Sequence, residues 1–78
     1  MREKSWKLVI TFPSTTAAMA MEQACREAGA PGRLIPVPQA LSAGCGMAWM
    51  APPEAQEALE RLARSRQIPT EGCHRLLL

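Results

Sequence analysis

The sequence predicts one α+β domain in the order βαββαβ, with a four-stranded antiparallel sheet and two helices on one face. Its 78 residues are enough for a single small hydrophobic core. Four short apolar segments are interspersed with two segments whose apolar residues recur at helical spacing. Both halves of the chain read strand–helix–strand, and two right-handed βαβ units joined by a hairpin form a ferredoxin-like sandwich.

The first strand and the first helix have clear sequence boundaries. The side chains of residues 6–12 alternate between two faces in the pattern of a buried strand, and Pro13 ends that strand. Either Ser14 or Thr15 offers a hydroxyl that can cap the following helix. Its buried stripe of alanine and methionine predicts a helix over residues 15–28, packed closely on the sheet.

The remaining elements follow in the same way. Residues 33–37 form a second strand, and Pro36 predicts that this strand lies at an edge, because proline cannot donate to a ladder. A third strand is predicted over residues 46–50, a second helix over residues 53–66 and a fourth strand over residues 73–77. The usual strand order of such a sandwich, fourth, first, third, second, also places the second strand at an edge.

This topology brings one end of the sheet together with the start of the first helix. The first strand ends where the third and fourth strands begin, so Cys45, Cys73 and the helix N-terminus are expected to gather there. A helix N-terminus carries unpaired N–H groups and a partial positive charge, which stabilise a nearby thiolate. The hydroxyls of Ser14 and Thr15 are further donors.

Cys45 is the best candidate for chemistry in the chain. Gly44 and Gly46 flank it and remove side-chain bulk, so that a reagent or partner can approach closely. It is interpreted as a nucleophilic or sulfur-carrying thiol. The alternative, a small buried residue at the start of a strand, stays open.

Four other residues have less to support them. Cys73 is either a resolving thiol or structural, since two strand spacings of roughly 9–10 Å separate it from the third strand and a disulfide needs Cα atoms less than about 7 Å apart. Cys25 is expected to pack in the core. Arg33 could attract an anion, or it is an ordinary surface arginine, and His74 is a lone histidine that makes a poor metal site.

Composition excludes several classes of function. A net charge of +2 with scattered basic residues and 4% aromatic residues argues against a nucleic-acid binder. The chain has no apolar run long enough for a membrane helix and no signal peptide, which predicts a cytoplasmic protein. Three cysteines without a C-x-x-C pair indicate free thiols and no metal site, and no cofactor-binding or complete catalytic motif is present.

Two segments resemble a known family. They are residues 8–15, LVITFPST, and residues 32–38, GRLIPVP, followed by Ser42 and by Cys45-Gly46. Together they resemble short bacterial proteins described as selenium/sulfur carrier-like domains, over most of residues 7–72. The L-I-P-V-P and C-G combination carries most of the specificity.

The resemblance implies a cysteine that holds sulfur or selenium as a persulfide or selenylsulfide, and Cys45 matches that position. Its partners would be a donor such as a cysteine desulfurase and an acceptor of unknown identity. The chain departs from the family pattern at Gln39, where a basic residue commonly follows the second proline. It departs again at Thr16 and Ala17, where histidine is frequent, and both changes argue against an acid–base or anion-binding role there.

Two hypotheses follow from the sequence. The preferred one is a sulfur or selenium carrier, an accessory protein more than a stand-alone enzyme, that uses Cys45. The alternative is a non-catalytic interaction or regulatory module, expected to be a homodimer because so small a core gains from further burial.

Overall fold

The computed structural model describes residues 3–41 and 46–78. It is an α+β domain with four antiparallel strands in one open sheet and two helices, the class that the sequence predicts. A 3-10 turn, Pro53–Ala55, leads into the second helix. The strands and helices are β1 (Trp6–Thr11), α1 (Thr15–Ala28), β2 (Arg33–Pro36), β3 (Met47–Ala51), α2 (Gln56–Ser65) and β4 (Gly72–Leu77).

The strands lie in the order β2-β3-β1-β4, and every neighbouring pair is antiparallel. β2 is therefore an edge strand, as Pro36 predicts. The amide of Val37 donates to the carbonyl of Gly46 across 3.0 Å, and hydrogen-bonded pairs alternate along an antiparallel ladder. Pro36 is consequently at a position whose backbone faces away from β3, where its missing N–H costs no hydrogen bond.

The hydrophobic core lies between both helices and one face of the sheet. It is aliphatic, as the low aromatic content predicts, apart from Phe12 and Trp49. Each helix contributes a narrow stripe of apolar residues. The most deeply buried side chains include Leu8, Ile10, Phe12, Met21 and Leu59.

The turn before β2 packs tightly against β3. Trp49 is only 3% exposed, and its indole N–H donates to the carbonyl oxygen of Pro31 across 3.2 Å. Gly32 passes directly over this indole with a φ of 118°, in the region that favours glycine. This contact fixes where β2 joins the sheet.

None of the helices formed by residues 3–41 and 46–78 has the length and apolar character needed to cross a membrane.

Candidate thiol site

The N-terminus of α1 is capped by Ser14. Its backbone is extended, and its Oγ accepts a hydrogen bond of 3.1 Å from the amide of Ala17. Of the two hydroxyls that the sequence offered, Ser14 therefore provides the cap, and Thr15 is the first helical residue. No acidic side chain lies in the first turn, so nothing there offsets the partial positive charge of this helix end.

Replacing Ser14 with alanine is expected to lower the free energy of unfolding by about 1 kcal/mol, because the Ala17 amide loses its acceptor. Urea denaturation measures the change. Thr15→Ala is the matched control, since Thr15 is exposed and alanine is a good helix former. Equal losses in the two variants would contradict a specific capping role for Ser14.

The start of α1 lies at the end of the sheet where β3 and β4 begin. Thr11, the last residue of β1, pairs with Ala48 of β3 and with Gly72 of β4. Thr11 is 2% exposed, and its hydroxyl lies 3.4 Å from the Gly72 carbonyl oxygen, to which it donates. Gly46 precedes β3 at this same end and has a φ of 74°.

Two of the predicted site residues, Gly44 and Cys45, lie outside the described residues. The expectation that the Cys45 thiol joins the start of α1 stays a prediction. The structure does describe Gly46, which follows Cys45 in the sequence, as well as Ser14 and the first residues of β4.

Cys73 lies on the helix-facing side of β4, opposite Ile10 of β1. Its thiol donates to Oε2 of Glu60 on α2 across 3.3 Å, beside a pocket of about 120 Å³ between α2 and the sheet. Burial raises the pKa of the Cys73 thiol to about 11, and the hydrogen bond and negative charge of Glu60 act in the same direction. At neutral pH this sulfur is a protonated thiol, the form that does not attack sulfur.

Glu60 is the residue that sequence reasoning missed. Glu60 is only partly exposed, and it accepts hydrogen bonds from both Cys73 and Gln56. A signal was present in the sequence, because Gln56 and Glu60 are four residues apart and share one side of α2.

Cys25 is a core residue, as predicted. It is 1% exposed on the buried side of α1, and burial raises the pKa of its thiol to about 11. The sulfur therefore lies in the core, away from solvent.

Arg33 is not brought to this end of the sheet. It pairs with Met50, whereas Pro36, at the other end of β2, pairs with Met47 near Gly46. β2 runs in the same direction as β1, so its first residue lies roughly 10 Å along the strand from that end. An anion held by Arg33 would therefore lie away from the start of α1.

His74 lies on the sheet face that the helices leave open, opposite Val9. Cys73 and His74 are neighbours on one strand and thus point to opposite faces of the sheet. Among residues 3–41 and 46–78 there is no cluster of three side chains able to hold a metal ion.

The fold and these residues define a small α+β domain whose described thiols, Cys25 and Cys73, are both held protonated. The chain belongs to the family described as "Putative Se/S carrier protein-like", whose model matches residues 7–75. This confirms the resemblance that the sequence motifs indicate. Neither a curated protein nor a solved structure matches the chain significantly.

Proposed function

We propose that this protein is a sulfur or selenium carrier in which Cys45 holds the transferred atom as a persulfide or selenylsulfide. One observation carries the assignment of the residue. The sequence has three cysteines, and the thiols of Cys25 and Cys73 both have a pKa raised to about 11. A carrier of this family needs one thiol that ionises near neutral pH, which leaves Cys45.

The transfer step needs no external oxidant. The Cys45 thiolate attacks the outer sulfur of a persulfide on the donor protein and forms a new S–S bond. The S–S bond of the donor breaks, and its electron pair leaves with the donor cysteine as a thiolate. Attack by an acceptor nucleophile on the outer sulfur later reverses this chemistry and regenerates the Cys45 thiolate. With a selenium donor the bond formed is S–Se.

Two described features of the chain favour this chemistry. The Ser14-capped start of α1 has no acidic residue in its first turn, and its free N–H groups favour a nearby anion. Gly46 follows Cys45 in the sequence and is exposed, with no atom within 4 Å of the position that a Cβ would take. A donor such as a cysteine desulfurase would meet little steric hindrance at Gly46.

We also assign the domain to the ferredoxin-like arrangement. Read from the β4 edge, the observed order is fourth, first, third, second. In that arrangement β3 begins at the end of the sheet where β1 ends and α1 starts, which is where the carrier mechanism requires the Cys45 thiol.

The test is sulfur loading by a cysteine desulfurase and cysteine, followed by intact mass measurement without reductant. The native chain is expected to gain the mass of one sulfur atom, and a reductant should remove it. Cys25→Ser and Cys73→Ser are expected to load as the native chain does, whereas Cys45→Ser should not load. An adduct that persists in Cys45→Ser would refute the assignment of this residue.

A second candidate function is a non-catalytic interaction module. The observation in its favour is the unpaired edge of β4 at one side of the sheet. It predicts no sulfur loading on any cysteine, so the same mass measurement separates the two functions.

A further inference from the structure

The two edges of the sheet differ in the backbone groups that they present. Natural edge strands usually carry features that block pairing with another chain. β2 has two such features, because it is only four residues long and Pro36 removes an outward N–H. β4 has six residues and no proline.

The outward groups of β4 follow from its ladder with β1. Ser5 and Leu78 exchange two N–H···O bonds of 2.9 and 3.0 Å, so they form a hydrogen-bonded pair. Such pairs alternate in an antiparallel ladder, and the backbone groups of the residues between them point away from β1. Those residues are Cys73, Arg75 and Leu77, and within residues 3–41 and 46–78 nothing pairs with their outward amides.

We propose that β4 pairs antiparallel with β4 of a second copy of this chain, across a two-fold axis centred on His74. The two sheets then become one continuous sheet with all helices on the same side. The inference is independent of Cys45 and stands whether or not that residue carries sulfur.

The register follows from charge and length. Residues that lie opposite each other in the pair must project to the same side of the combined sheet. The two-fold axis is therefore centred on a residue that lies opposite the same residue of the second copy. A centre at Arg75 sets two guanidinium groups directly opposite each other, which is unfavourable. A centre at Cys73 pairs only the first half of β4. A centre at His74 pairs residues 72–76 of both copies and sets Cys73 opposite Arg75 of the second copy.

This register is complementary in charge. Glu60 lies 3.3 Å from the Cys73 sulfur on the helix-facing side. Arg75 lies on that side too, since its guanidinium donates to Oε1 of Gln56 across 3.0 Å. In the pair, each Arg75 side chain leaves Gln56, extends over Cys73 of the other copy and reaches Glu60 of that copy. A charged side chain without a counter-charge on an edge strand discourages pairing with another chain, but Arg75 meets the opposite charge of Glu60 in the second copy.

Sedimentation velocity over a range of concentrations tests the proposal on the full chain. The native chain is expected to form dimers. Either Arg75→Glu or Glu60→Arg should raise the dissociation constant of the dimer about tenfold, because each substitution places like charges together at both symmetry-related contacts. The double variant Glu60→Arg/Arg75→Glu should restore the dimer. Arg33→Glu, on the other edge strand, is the matched control and should leave dimerisation unchanged.

Arg75→Pro is a second and independent variant. It removes an outward N–H without touching the ladder to β1, so the domain should keep its circular dichroism spectrum while the dimer is lost. A native chain that stays monomeric would overturn the proposal and leave the β4 edge to a strand of another protein. A dimer that persists in Arg75→Pro, or a charge swap that fails to restore association, would overturn the assigned pairing.

Discussion

Gly32→Ala is expected to lower the free energy of unfolding by about 3 kcal/mol, since it combines a steric clash with backbone strain. A Cβ on this residue would overlap the indole nitrogen of Trp49 and lie 2.5 Å from the carbonyl oxygen of Met50. Neither neighbour can move freely, because the indole is buried and bonded to Pro31 and the carbonyl belongs to β3. The expected loss is a large share of the roughly 4–12 kcal/mol typical of a domain of this size.

Gly29→Ala separates the two causes. Gly29 ends α1 with a φ of 69°, and no atom lies within 4 Å of the position that its Cβ would take. Alanine at this position should lower the free energy of unfolding by about 1 kcal/mol, because of the left-handed backbone conformation alone. Urea denaturation of both variants measures the difference, which is the cost of the clash with Trp49. Similar losses at the two positions would show that the strand β3 yields to the added methyl group.

Local chemistry explains why the elements were predictable from the sequence. Pro36 indicates an edge strand because proline lacks an N–H, and β2 is at an edge. Ser14 indicates the start of a helix because its hydroxyl bonds to the first turn, and it caps α1. Each of these inferences needs only a residue and its immediate neighbours.

The contacts around the sheet were harder to predict, because they depend on strand register. Arg33 lies away from the start of α1 because it pairs with Met50, and the sequence does not contain that register. The contact of Cys73 with Glu60 depends in the same way on where α2 crosses β4. The close approach of Gly32 to Trp49 appears only in the packed structure.

Cys25 and Cys73 are expected to react with iodoacetamide about a hundredfold more slowly at neutral pH than a thiol with the ordinary pKa. For both, the pKa is raised from 9.0 to about 11, and each unit lowers the thiolate fraction tenfold. Since the folded chain keeps these thiols protonated, their contribution to stability is complete below pH 9. That contribution is lost as the pH rises toward about 11. Peptide mapping after timed alkylation gives the rate for each cysteine.

Glu60→Gln is the matched variant for this measurement, because the amide removes a negative charge while it keeps the shape of the side chain. The substitution should lower the pKa of Cys73, because Glu60 adds to the effect of burial there, and alkylation of Cys73 should be faster. The alkylation rate of Cys25 should not change, because burial alone raises its pKa. Cys45 is expected to react fastest of the three in both chains, as the carrier mechanism requires an ionised thiol. If Cys45 instead reacts as slowly as the buried Cys25, it cannot supply the thiolate that sulfur transfer needs.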